Sequence, residues 1–135
     1  MQKYLQAFID KLEAEGIKYS MADDNTVNLT YRCDNIQSLD IYAFFDEDGD
    51  PYVQFRSWNI ENFKNNQAGG YEVCNALNLQ YRWVKFFLDK DYDVVATLDA
   101  VLDIDSADDE CLSLMNRFIN IVDGAYPSLA KARWA

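Results

Sequence analysis

Histidine is absent from this 135-residue sequence. Its absence removes the usual general base of Ser-His-Asp and Cys-His catalysis and the imidazole ligands of most zinc, haem and non-haem iron sites. Glycine occurs five times and proline twice, and no GxGxxG pattern or P-loop lysine is present; Gly69-Gly70 stands alone ahead of an expected helix. The three cysteines, Cys33, Cys74 and Cys111, are far apart and form no CxxC pair, which removes the zinc-knuckle and thioredoxin-type sites. Their odd number fits a reducing compartment. The opening Met-Gln-Lys-Tyr-Leu-Gln lacks the apolar stretch of a secretory signal, and no apolar run approaches a membrane-spanning length. A cytoplasmic location and no membrane partner are the expectation.

Basic residues are also scarce. Twelve Lys and Arg stand against 23 Asp and Glu, a formal charge of −11, and the twelve are scattered without a run. Nucleic-acid binding depends on clustered cations that displace counterions, so no nucleic-acid partner is expected. The acidity reads either as solubility or as an acidic face for a basic partner.

What is present is apolar and aromatic: half of the residues are hydrophobic and 15% are Phe, Trp or Tyr. That composition and length predict a single domain over 1–135 with a substantial core. Leu5, Phe8, Ile9 and Leu12 recur at helical spacing before Gly16, which predicts a first helix that stops there. Ile17–Met21 reads as a short extended piece, and Val27, Leu29 and Tyr31 alternate with polar residues as in a half-buried strand. Leu39–Phe45 and Tyr52–Trp58 are strands joined across Asp48-Gly49, a strong hairpin signal. Ile60–Gly70 reads as a connection and Tyr71–Leu79 as a helix. Arg82–Leu88 and Asp93–Val101 read as a second hairpin. Ser106 with Asp109 resembles a capping box, and the apolar positions Cys111 to Val122 predict a last helix ended by Gly124 and Pro127. The order α-β-β-β-β-α-β-β-α has no βαβ alternation and gives an α+β domain: a twisted antiparallel sheet of five to six strands with three helices.

The groups that could carry chemistry have local explanations. Cys74 and Cys111 fall on apolar helical faces and Cys33 at a strand end, as structural cysteines do. Asp46-Glu47-Asp48-Gly49-Asp50 has a calcium loop's first acidic spacing, but its Gly is at position 4, Pro51 at 6 and Ser57 at 12, between strands instead of helices. Asp103, Asp105, Asp108, Asp109 and Glu110 suit a helix start and its dipole. No catalytic residue, cofactor or metal ligand is expected. The consecutive pairs Phe44-Phe45 and Phe86-Phe87 put one ring on each side of a sheet. Helices can cover one side; the other is then wet, covered by extra elements or buried against another chain, and Phe45, Trp58, Phe63, Trp83 and Phe87 are the candidate interface residues.

Several stretches resemble the YbjN family. They are Asn75-Ala76-Leu77-Asn78, the hairpin from Trp83 to Asp89 with Val94-Val95-Ala96-Thr97-Leu98-Asp99, and the ending Phe118 to Leu129 with its Tyr126-Pro127-Ser128-Leu129. Gly16-Ile17-Lys18-Tyr19 and the acidic turn after the first strands agree in layout. The resemblance implies a fold like that of type III secretion chaperones, commonly dimeric, in proteins described as sensory-transduction regulators without accepted enzymatic activity; no catalytic residues carry over. The expected function is that of a non-enzymatic bacterial regulatory or chaperone-like protein. It would act on a protein partner of unknown identity, as a homodimer. The alternative is a small-ligand or divalent-cation sensor built on the acidic clusters.

Overall fold

The computed structural model describes residues 1–135. Helix α1 spans Lys3–Ala14, followed by strands β1 (Ser20–Asp23), β2 (Thr26–Tyr31), β3 (Leu39–Phe45) and β4 (Tyr52–Ser57). Helix α2 (Gln67–Gln80), strands β5 (Lys85–Leu88) and β6 (Val94–Val101) and helix α3 (Ala107–Arg133) complete the chain. The six strands form one sheet in the order β1-β2-β3-β4-β6-β5, antiparallel at every pairing. This is the expected α+β pattern of three helices and an antiparallel sheet.

Alternation decides which side of the sheet is core. In β3 Leu39, Ile41, Ala43 and Phe45 are buried while Asp40, Tyr42 and Phe44 point the other way; in register with them, Val53 and Phe55 of β4 and Leu98 of β6 are buried too. All three helices lie on that side. Phe8 of α1 sits 5.8 Å from Phe45 and 6.0 Å from Phe55, Phe118 of α3 sits 6.4 Å from Phe55, and Cys74 and Leu77 of α2 join the same buried cluster. A fully buried aromatic or aliphatic side chain contributes about 1.5–3 kcal/mol, so this one-sided layer holds the fold together.

Two helix boundaries differ from the sequence expectation. Helix α2 starts at Gln67, four residues before Tyr71, because Asn66 caps it: its Oδ1 accepts the Gly69 N–H at 3.3 Å while its Nδ2 donates to the Ala132 carbonyl of α3 at 3.0 Å. Position 70, inside the helix, takes glycine because a Cβ there would come within 2.7 Å of Phe63. Helix α3 does not end at Gly124 and Pro127 but continues to Arg133. Pro127 has no N–H for the carbonyl four residues back, and the Asn35 side chain donates to that Asp123 carbonyl at 3.0 Å instead. Ala125 and Leu129 keep the buried stripe going past the proline. At the other end Ser106 forms no cap to the backbone; its hydroxyl donates to Glu110, while Asp109 pairs with Lys11 of α1 at 2.9 Å.

The sheet edges are treated differently. On β5 the Asn78 side chain of α2 accepts the Phe86 N–H at 2.8 Å and donates to the Phe86 carbonyl at 2.9 Å. It does for Phe86 what a further strand would do, and so closes that edge. The opposite edge, β1, is only four residues long, exposed throughout and irregular in register between Met21 and Asp23.

Candidate functional site

The second side of the sheet carries no helix. Its residues follow from the alternation: Tyr42 and Phe44 from β3, Gln54 and Arg56 from β4, Thr97 and Asp99 from β6, and Phe87 from β5, with Trp58 just past the end of β4. Three of its aromatic rings stack. Tyr42 and Trp58 lie 4.6 Å apart at 19°, Tyr42 and Phe44 6.3 Å at 23°, and Phe44 and Trp58 6.4 Å at 29°. Stacked rings of this kind gain about 0.5–1.5 kcal/mol beyond their burial, which holds the stripe flat and rigid. Trp58 is nevertheless 40% exposed.

Around the stripe lie three hollows. One of about 650 Å³ runs from Asn35 to Asp40 and under Tyr42, Trp58 and Tyr126. One of about 260 Å³ is formed by Phe44, Arg56, Trp58, Phe87, Asp89 and Val95. A third, of about 510 Å³, lies between Phe44, Tyr52, Gln54, Asp99 and Val101. Phe44 and Trp58 are shared between neighbouring hollows, so the three form one shallow trough that begins at the end of the sheet against Tyr126 of α3 and runs on across the bare face. At its far end Tyr52 and Val101, cross-strand partners, are 52% and 70% exposed. A continuous, polar-rimmed aromatic trough is the surface character of a binding face.

The candidate interface residues divide three ways. Trp58 and Phe87 lie on the bare face. Phe45 and Phe63 are not at the surface: they are 6% and 0% exposed and belong to the chain's own core. The sheet side shared with Ile41 and Ala43 takes Phe45 under α1, and α2 covers Phe63. Trp83 is exposed but sits elsewhere, at the bend before β5, with the Arg117 guanidinium of α3 5.4 Å above its ring. The residues that sequence reasoning passed over are Tyr42, Phe44 and Arg56. Alternation along β3 already separated Tyr42 and Phe44 from Phe45; the missing information was which side the helices would cover.

In each acidic cluster one carboxylate is held by its own backbone. Asp46 Oδ2 accepts the N–H groups of Asp48 and Asp50, both at 3.1 Å, and Asp103 Oδ1 accepts that of Asp105 at 2.9 Å. A third group, Asp89, Asp91 and Asp93, with Asp-x-Asp-x-Asp spacing along the chain, brings its carboxylate oxygens within 4.8 Å of one another. Here too Asp89 Oδ1 accepts two backbone N–H groups, from Asp91 at 2.8 Å and Asp93 at 3.0 Å.

The thiols are not activated. Burial pushes Cys74 up to about 11 and Cys111 up to about 12, the latter helped by the Glu110 and Asp108 charges. Cys33 is raised as well, by burial and then by the charges of Asp123 and Asp34. A nucleophilic cysteine needs the opposite shift. No helix is long and apolar enough to cross a membrane.

Comparison with known proteins places this geometry. The model of the YbjN family, described as "Putative bacterial sensory transduction regulator", matches residues 7–131. No curated protein gives a significant match. The crystal structure of YbjN from E. coli superposes with a TM-score of 0.68 at 12% identity, covering 90% of this chain and 87% of that one. A chain of the heterodimeric ExoU–SpcU complex of the Pseudomonas aeruginosa type III secretion system superposes at 0.58, with 15% identity, 91% of this chain and 94% of that one. A chain of the HopA1–SchA chaperone–effector complex superposes at 0.53, again at 15% identity, covering 90% and 94%. At these identities the likeness is one of fold.

Proposed function

The chain belongs to the YbjN family, and on that premise we propose that it is a non-enzymatic regulatory or chaperone-like protein whose bare sheet face binds a segment of another protein. The observation that carries the reading is the stacked Tyr42–Phe44–Trp58 stripe on the side of the sheet opposite all three helices. Rigid aromatic rings at the centre of a trough anchor protein segments at little entropic cost. The fold shared with chains of a chaperone–effector complex and of a type III secretion complex supports the same direction as analogy. The lack of histidine and the raised thiols support a non-enzymatic role.

In this reading residues 1–135 act as one YbjN-like domain, in the bacterial cytoplasm and as a homodimer. Light scattering of the purified protein tests the dimer: a mass of two chains supports it, and a mass of one chain at all concentrations removes it. Photo-crosslinking compared position by position on the two sides of the molecule tests the binding face.

A further inference from the structure

Strand register places two exposed carboxylates on either side of the middle of the bare face. Tyr42, Arg56 and Thr97 are cross-strand partners in one row, and Phe44, Gln54 and Asp99 in the next of the same side. Asp40 lies two residues before Tyr42 on β3, and Asp99 two residues after Thr97 on β6. The two carboxylates therefore stand about 14 Å apart along the strand direction, four residues at the rise of an extended chain, with the Tyr42–Arg56 row midway. Each holds only a neutral side chain. Asp40 Oδ1 accepts the Thr30 hydroxyl at 2.7 Å, and Asp99 Oδ1 accepts an N–H of the Gln54 amide, also at 2.7 Å.

The whole trough has the same sign. Its lining carries four carboxylates, Asp40, Asp46, Asp89 and Asp99, and one cation, Arg56. None of these five takes part in the three ion pairs of the chain. Asp46 and Asp89 turn one oxygen each to their own loops, and the Arg56 guanidinium lies over the Phe87 ring, 5.9 Å from its centroid. Asp40 belongs to the hollow at one end, and Asp46 and Asp99 to the hollow at the other. Negative charge thus sits at both ends of the trough, with aromatic rings and the single cation between them. A concave surface of one sign concentrates its field on whatever enters it.

We propose that the trough takes an extended segment of the partner protein in which two basic residues, four positions apart, flank an apolar middle. In an extended chain residues i, i+2 and i+4 point to the same side. One cation then meets Asp40 and the other Asp99, while the apolar or aromatic residue between them rests on the Tyr42–Phe44–Trp58 stripe. Arg56 disfavours a third cation in the middle. Charge complementarity selects this occupant: an acidic segment meets net repulsion, and a second copy laid on the same face would set carboxylates against carboxylates. The proposal rests on the bare face being the protein-binding surface and adds what that surface selects.

The test uses the full chain, labelled with nitrogen-15, and three synthetic nine-residue peptides of Leu, Phe and Thr. They carry Lys, Gln or Glu at two positions four residues apart. The Lys peptide is expected to shift the amides of β3, β4 and β6 and the Trp58 indole. At low salt it is expected to bind about threefold to tenfold more tightly than the Gln peptide, the range of two exposed ion pairs, and the preference is expected to shrink as salt is added. Asp40→Asn and Asp99→Asn, both at exposed positions, are each expected to weaken the Lys peptide about twofold to threefold and leave the Gln peptide unchanged; together they remove the preference. Glu72→Gln, the same charge change on an exposed position of α2, is expected to alter neither. Each variant's own spectrum reports that it is folded. Equal binding of the Lys and Gln peptides on this face, or tighter binding of the Glu peptide, would overturn the basic segment while leaving the binding face intact. Equal weakening by Glu72→Gln would also overturn it, since the preference would then belong to the net charge of the chain. Shifts confined to the helices, or none with any peptide, would overturn both the segment and the face.

Discussion

Asn35 and Asp123, 88 residues apart in sequence, hold the loop before β3 to the middle of α3: Asp123 Oδ1 accepts the Asn35 and Ile36 N–H groups, each at 2.9 Å, and Asn35 Nδ2 donates to the Asp123 carbonyl at 3.0 Å. The carbonyl it reaches is the one that Pro127 leaves open. This contact lets a helix containing an internal proline run on to Arg133, where Glu61 and Asn66 hold its end.

Asn35→Ala is therefore expected to lower unfolding stability by about 1 kcal/mol, the size of an ordinary hydrogen bond at a partly exposed site. In a Pro127→Ala background, where residue 127 regains an N–H for the Asp123 carbonyl, the same change is expected to cost less. Urea denaturation of the four proteins of that double-mutant cycle measures the difference; equal costs in both backgrounds would mean that Asn35 does not compensate for the proline.

Asn78→Ala is expected to destabilise the protein by about 1–3 kcal/mol, because it strips the Phe86 N–H and carbonyl of their partner at once. It also reopens the β5 edge, so the variant is expected to aggregate faster than the parent under partly denaturing conditions. Turbidity at matched unfolded fraction separates the edge effect from the loss of stability.

The buried thiols make stability fall on the alkaline side. In the folded chain Cys74 and Cys111 are pushed up to about 11 and about 12, above the ordinary thiol value of about 8.5. From about pH 9 upward the unfolded chain holds fewer protons at these sites than the folded one, so stability declines with rising pH, by roughly 1 kcal/mol per pH unit per thiol until the folded values are reached. Below that window the contribution is constant. Denaturation midpoints of the parent and Cys111→Ala between pH 8 and pH 11 check the sign: the variant is expected to show the shallower decline.

The acidic clusters are expected to leave stability indifferent to calcium, because one carboxylate of each, Asp46, Asp89 and Asp103, already holds backbone N–H groups. A melting temperature unchanged at 1 mM calcium is the expected result. A site with a dissociation constant of about 10 μM would add roughly 2.7 kcal/mol there, a rise that no melting curve would miss and that would favour the sensor reading.

Where the sequence could be read, the reason was local. The alternation from Leu39 to Phe45 gave β3 with its observed limits, and the 3.6 spacing of Leu5, Phe8, Ile9 and Leu12 gave α1 and its buried face. The misread boundaries depend on contacts distant in sequence. Gly69-Gly70 reads as a connection until Phe63 is known to lie against Gly70, and Pro127 reads as a stop until Asn35 is known to reach Asp123. The site follows the same rule. Consecutive aromatics require rings on both sides of the sheet, but only the packing of α1 and α3 onto Phe45 and Phe55 decides which side stays bare. Register then sets Tyr42 beside Arg56 and Gln54 beside Asp99 on that side, a grouping with no signature along the chain.

The central claim is that the bare sheet face, and not the helical side, meets a partner. Its most direct test is the photo-reactive amino acid benzoylphenylalanine, placed singly at Phe44, Gln54 or Trp58 on the bare face and at Glu72 or Ser128 on exposed helix positions, in cells that make the protein. The account predicts that irradiation yields a discrete protein adduct from the three bare-face positions and none from the two helix positions. Adducts from Glu72 and Ser128 with none from Phe44, Gln54 and Trp58 would contradict it.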